Sequence, residues 1–130
     1  MKLSPLKGIV IISAILLTGC TSGPGPLDEF TMCLKDKGAI FYGAFWCSHC
    51  QNQKKLFGNS KRLLPYVECS LPSGRGQTVE CQEKKIEGYP TWVFADQSRE
   101  TGEVSLERLA QKTGCTLPEA EQPTPSDTSQ

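Results

Sequence analysis

Between residues 27 and 115 the chain alternates apolar-periodic stretches with short apolar runs. In LDEFTMCLKDKG, residues 27–38, Leu27, Phe30 and Leu34 recur at helical spacing and Gly38 supplies a stop. AIFYGAF, 39–45, is aromatic and β-branched and predicts a buried strand. CSHCQNQKKLFG, 47–58, predicts a helix with Leu56 and Phe57 near its end and Gly58 as its terminator. LLPYVEC, 63–69, predicts a second strand, SLPSGRGQ a loop, and TVECQEKKIEG, 78–88, a short helix ending at Gly88. PTWVFA, 90–95, predicts a strand that opens on proline. SRETGEVS holds one short edge strand, and SLERLAQKTG a closing helix with Ser105 as N-cap. This order predicts an α/β domain with a central mixed β-sheet flanked by helices on both faces.

The ends of the chain read differently. Lys2 and Lys7 precede the apolar run Ile9 to Leu17, which has the length of a signal-peptide core and is too short to cross a bilayer as a mature helix. The run ends in LTGC, Leu17 to Cys20, which resembles the lipobox of bacterial lipoproteins. That resemblance implies a signal peptide over 1–19, cleavage before Cys20 and lipidation of Cys20, with several acyl chains giving a stable membrane anchor. The alternative is an ordinary secretory signal with an incidental cysteine. Either way the domain faces an oxidising, extracytoplasmic space, periplasmic or at the cell surface. Residues 20–26 are Gly- and Pro-rich and predict a flexible tether. Residues 116–130 are Pro-rich, nearly without apolar residues, and predict a disordered tail. The folded part is then 27–115, a single monomeric domain.

Composition narrows the function. The 14 basic and 14 acidic residues cancel, which gives no argument for a nucleic-acid partner. Seven cysteines in 130 residues exceed routine cytosolic usage and suit a small exported domain that staples a limited core.

Cys47 and Cys50 stand where the first strand hands over to a helix. A helix start offers unpaired N–H groups and the positive end of the macrodipole, so it stabilises a thiolate at Cys47. Cys50 lies one turn further in and is more shielded. One sulfur can then exchange with a partner while the other resolves the mixed disulfide. His49, the sole histidine, can hydrogen-bond to the Cys47 thiolate or balance its charge, which would make the disulfide a stronger oxidant. The alternative is an exposed helix residue without a role. Pro90, after the helix-ending Gly88, is a candidate cis-proline.

WCSHC followed by YPTW resembles the thioredoxin superfamily. More narrowly, YGAFWCSHCQNQKKLFG, then YVEC, a further cysteine, IEGYPTW and SLERLA are similar to the thioredoxin-like domain fused to vitamin K epoxide reductase homologues in plants and cyanobacteria. The resemblance implies a thioredoxin-like fold that exchanges disulfides with an integral-membrane quinone-linked oxidase and with secreted protein thiols. No such oxidase segment occurs in this sequence, so that partner would be a separate protein. Carried over, Cys47 is the attacking or attacked cysteine, Cys50 the resolving one, and Pro90 the cis-proline facing them. The backbone of Tyr89 is then free to pair with a substrate peptide, and Trp46 and Tyr89 form a shallow apolar rim. The redox-active disulfide itself replaces any cofactor. Thioredoxins commonly carry a buried carboxylate six positions before the first cysteine. That position is Phe41 here, which leaves water, His49 or Glu68 as candidate proton acceptors.

Cys33, Cys69, Cys81 and Cys115 remain, enough for two disulfides in three connectivities. Cys69 and Cys81 flank the Gly-rich loop, and the fused family domain has a similar pair, structural or a second redox relay. Cys33 and Cys115 would pair by elimination and tie the first helix to the last. Two other classes compete: a zinc site on Cys47, Cys50, Cys69 and Cys81, and a disulfide-stapled binding module without catalysis. Within the redox class, reduction or isomerisation competes with oxidation.

Overall fold

The computed structural model describes residues 23–119. In chain order the elements are α1 (Asp28–Asp36), β1 (Ile40–Gly43), α2 (Ser48–Lys55), a 3-10 helix (Gly58–Leu63), β2 (Tyr66–Glu68), α3 (Val79–Glu83), β3 (Thr91–Val93), β4 (Arg99–Thr101) and α4 (Leu106–Thr113). The four strands form one sheet in the order β2-β1-β3-β4. β1 runs parallel to β2 and antiparallel to β3, and β4 closes the edge antiparallel to β3. A mixed sheet of this order, with helices on both faces and a C-x-x-C where β1 passes into α2, is a thioredoxin-like fold.

Alternation along the strands divides the core. Phe41 and Trp92 are cross-strand partners whose rings stack 5.1 Å apart. They face the helical layer, where Phe30 and Leu34 of α1, Cys50 of α2, Phe57, and Leu106 and Leu109 of α4 complete the main core. Tyr42 and Val93 point the other way, onto Cys69, Cys81 and Ile86. Three helices therefore lie on one face, and α3 covers the other.

The helix ends follow local chemistry. Ser105 caps α4 by accepting from the Arg108 N–H at 3.2 Å, and Gly114 closes it in the left-handed region at φ +73°. α2 stops at Lys55, and the chain continues into the 3-10 helix that sequence periodicity did not foretell. That turn is fastened from outside its own sequence, by Arg62 to the Asp28 carboxylate and by Ser60 Oγ to the Leu27 N–H at 3.1 Å. α3 is shorter than the predicted 78–88 because Lys85 turns into the left-handed region at φ +52°.

Both predicted domain limits move outward. Gly25, expected in the tether, is buried against the 3-10 helix, where a Cβ would lie 2.2 Å from Ser60 Oγ. Only glycine admits that approach. Leu117, expected in the tail, is buried in the main core. The signal peptide over 1–19, Cys20, the first residues of the tether and the tail beyond 119 lie outside the described residues. Among the described residues no helix is long and apolar enough to cross a membrane.

Cys33 is bonded to Cys115 across 82 positions, and Cys69 to Cys81 across 12. The first bridge fastens α1 to Cys115, two residues past the end of α4, so both ends of the domain meet. Loop-closure entropy gives about 4.5 kcal/mol for the longer bridge and about 3 kcal/mol for the shorter. Urea denaturation should therefore show the Cys33→Ala/Cys115→Ala protein losing more stability than Cys69→Ala/Cys81→Ala.

Candidate active site

β1 ends at Gly43, and residues 44–47 turn the chain into α2. Cys47 is the N-cap of that helix, in extended conformation at φ −78° and ψ 117°. Its Sγ accepts from the Cys50 N–H at 3.3 Å, one of the donors a helix start leaves unpaired. The first turn holds no acidic side chain, so no carboxylate competes with sulfur for the positive end of the helix. Cys47 is 7% exposed and Cys50 fully buried, and among the described cysteines these two are the free ones.

Cys50 is held from behind by Gly43. A Cβ on Gly43 would sit 3.0 Å from Cys50 Sγ and 2.8 Å from the Tyr66 ring, so only a glycine lets β1 pass this close. Burial pushes the Cys50 thiol up to about 12, and the hydrogen bond with Cys47 adds to the effect. Cys47 and Cys50 thus differ by position: both are buried, but the sulfur of Cys47 takes a helix N–H and keeps a 7% opening to solvent, whereas Cys50 is a protonated thiol with none.

The Tyr89–Pro90 peptide bond is cis. The Cys47 thiol faces the Tyr89 carbonyl at 3.7 Å. The rings of Trp46 and Tyr89 meet edge to face at 5.9 Å. Each is held from the loop that the Cys69–Cys81 bridge closes. Trp46 Nε1 donates to Ser70 Oγ at 2.9 Å, and Gln77 Nε2 donates to the Tyr89 hydroxyl at 2.7 Å. Ser70 and Gln77 face each other across an antiparallel bridge. The staple therefore fixes both rim aromatics, a coupling that sequence analysis missed. The loop's position beside WCSHC was not a local property; only the Gln and Ser at its two ends signalled it.

His49 differs from expectation. Its Nδ1 lies 2.7 Å from Glu103 Oε1, and the side chain is 69% exposed. Glu103 also accepts from Asn52 at 3.1 Å, and the His49 hydrogen bond, then that of Asn52, holds its carboxyl below the usual range. The ring is thus engaged across α2 with the segment after β4 rather than turned to Cys47 through that nitrogen. Glu68 is likewise committed: its carboxylate accepts from the Tyr66 hydroxyl at 2.7 Å and from the N–H groups of Ser70 at 2.8 Å and Phe45 at 3.2 Å. Phe41 is fully buried in the stack with Trp92.

The bonded Cys69 and Cys81 are removed from any four-thiolate zinc set, leaving the zinc alternative without two of its four donors. Their complete burial also places the bridge out of reach of an external thiol, which favours the staple over the relay.

The chain is 45% identical over 92 residues to the protein named Thiol-disulfide oxidoreductase LTO1 from Arabidopsis thaliana, a match covering 67% of this chain and 24% of the plant protein. This chain is similar to one part of an oxidoreductase. It spans about a quarter of the length of the curated relative it matches. No family model matches it.

Two outcomes follow from the geometry. Iodoacetamide at neutral pH should modify the reduced protein once, at Cys47, with Cys50 unmodified until the chain unfolds; peptide mass spectrometry reads the site. Gly43→Ala should cost about 1–3 kcal/mol through overpacking, read by urea denaturation of the reduced protein.

Proposed function

We propose that this chain is a thiol–disulfide oxidoreductase whose redox centre is the Cys47–Cys50 pair, acting on secreted or periplasmic protein thiols. The observation that carries the reading is the sulfur of Cys47 at the N-cap of α2, accepting the Cys50 N–H while the other described cysteines are bonded to one another. The name of the plant relative supports the same chemistry.

As an oxidant, the Cys47–Cys50 disulfide is attacked at Cys47 by a substrate thiolate. The substrate sulfur bonds to Cys47, and Cys50 leaves with the electron pair and takes a proton. A second substrate thiolate attacks the substrate sulfur of this mixed disulfide. The substrate departs with its own disulfide, and Cys47 and Cys50 are left as the dithiol, two electrons richer. Cys47 is the exchanging sulfur because it is the one at the helix start and, at 7% against 0%, the one of the two with any exposure. Trp46 and Tyr89 form the apolar rim against which the substrate chain lies, and the Tyr89 carbonyl, now facing the Cys47 thiol, is an acceptor for it.

The oxidant direction rests on the helix start, since Glu103 offsets the charge that His49 would bring. Two disulfides in the described domain support an oxidising compartment. The lipobox-like LTGC supports a lipid anchor on Cys20. The dithiol would be reoxidised by a membrane oxidase of the vitamin K epoxide reductase type, and the domain would work as a monomer.

Cys47→Ser should abolish exchange with a model dithiol, and Cys50→Ser should accumulate a mixed disulfide with glutathione at Cys47. The equilibrium of the wild-type pair against glutathione should give a potential between about −120 and −180 mV. A value near about −270 mV would reverse the assigned direction to reduction.

A further inference from the structure

The disulfide chemistry proposed above makes Cys50 a thiolate each time the pair opens or closes, yet its sulfur is fully buried. A buried anion without a partner is costly. Phe41 fills the space beneath the pair with an aromatic ring, and both oxygens of the Glu68 carboxylate are occupied by hydrogen-bond donors. The question is which group meets that charge.

Lys54 lies four residues after Cys50 on α2, hence on the same face one turn on. Its Nζ stands 3.5 Å from the centroid of the Tyr66 ring. That ring and Cys50 Sγ press on the same point of β1, within 2.8 and 3.0 Å of where a Gly43 Cβ would be. Tyr66 is fixed in turn, because its hydroxyl donates to Glu68 Oε2 at 2.7 Å. A phenol bonded to a carboxylate has an electron-rich face, which strengthens the hold on the ammonium. The groups around Cys50 can be named from each side. α2 contributes Lys54 and its N-cap Cys47, β2 contributes Tyr66 and Glu68, and β1 with the turn after it contributes the uncharged Phe41, Gly43 and Ala44. Burial and then Cys47 disfavour a Cys50 anion, whereas the Ala44 N–H and, to a smaller extent, the Lys54 charge favour it.

We propose that Lys54, seated on the Tyr66–Glu68 pair, is the positioning charge for the resolving cysteine, stabilising the Cys50 thiolate in the transition state of exchange. This inference rests on the Cys47–Cys50 exchange reading. In the oxidising half-reaction the entering thiolate bonds to Cys47 Sγ, the Cys47–Cys50 bond breaks, and Cys50 departs as an anion beside Lys54 before taking a proton from water. In reverse, Cys50 gives its proton to solvent base, attacks Cys47, re-forms the disulfide and expels the bound thiolate. One transition state serves both directions, so one cation assists both. Lys54 touches neither substrate nor sulfur and acts through its field.

The test is the rate at which dithiothreitol reduces the oxidised full chain, followed by tryptophan fluorescence, in Lys54→Met and Lys54→Arg. Lys54→Met should slow reduction about three- to tenfold, the range expected for losing one partly screened charge near the leaving sulfur. Lys54→Arg, which keeps the charge and the ring contact, should restore the rate to within about twofold. Added salt should slow the wild type and leave Lys54→Met unchanged, an effect that a purely structural role would not produce. Wild-type speed in Lys54→Met, or equal slowing in Lys54→Arg, overturns the assignment of Lys54. Reduction of the Cys47→Ser chain's remaining disulfides at the wild-type rate would instead overturn the exchange reading, and this inference with it.

Discussion

The site depends on a hydrogen bond from the Cys50 N–H to the Cys47 sulfur at 3.3 Å. A helix must begin somewhere, and its first N–H groups need acceptors that the helix cannot supply. Serine, threonine or aspartate would normally serve. Here a cysteine does, so the atom that caps the helix is also the outer sulfur of the proposed exchange pair. The same three-residue step that lets Cys47 cap the turn places Cys50 inside it, against Gly43 and out of water. Asymmetry between the two sulfurs is thus a consequence of helix geometry, with no additional machinery needed to distinguish them.

The four bonded cysteines solve a different problem. Among the described residues the sheet has four short strands, and strands of three or four residues bury little on their own. One bridge draws the two ends of the domain together, and the other closes a glycine-rich loop that would otherwise cost entropy to order. That second loop also carries Ser70 and Gln77, the partners of Trp46 and Tyr89. Stability and the placement of the Trp46 and Tyr89 rings are therefore linked through one buried bond.

Most of the fold was legible because its signals are local. Leu27, Phe30 and Leu34 repeat at helical spacing and are buried together; Ser105 and Gly114 bound α4 by their own side-chain and backbone preferences. The strand-to-helix position of Cys47 was legible for the same reason. What escaped was set by distant partners. The 3-10 helix is held by Asp28 and Leu27. Gly25 reads as linker by composition but fits against Ser60 because it lacks a side chain. His49 sits in the expected place, yet Glu103, 54 residues on, claims its ring. Propensity and spacing describe a segment's neighbours in sequence, and each of these outcomes was decided by a neighbour in space.

The placement of charge around the pair follows from the same folding choices. With Phe41 stacked on Trp92, the space under Cys50 belongs to the core, and an acid there would have to be buried without a donor. The polar groups are displaced sideways onto β2, where Tyr66 and Glu68 remain in reach of backbone N–H groups and of Lys54. Both oxygens of that carboxylate already accept hydrogen bonds within β2 and its neighbouring loops. A cation on the helix has no such commitment, since the face of an aromatic ring satisfies it only in part. The arrangement that keeps the core dry thus also decides which sign of charge is left to act on the inner thiol.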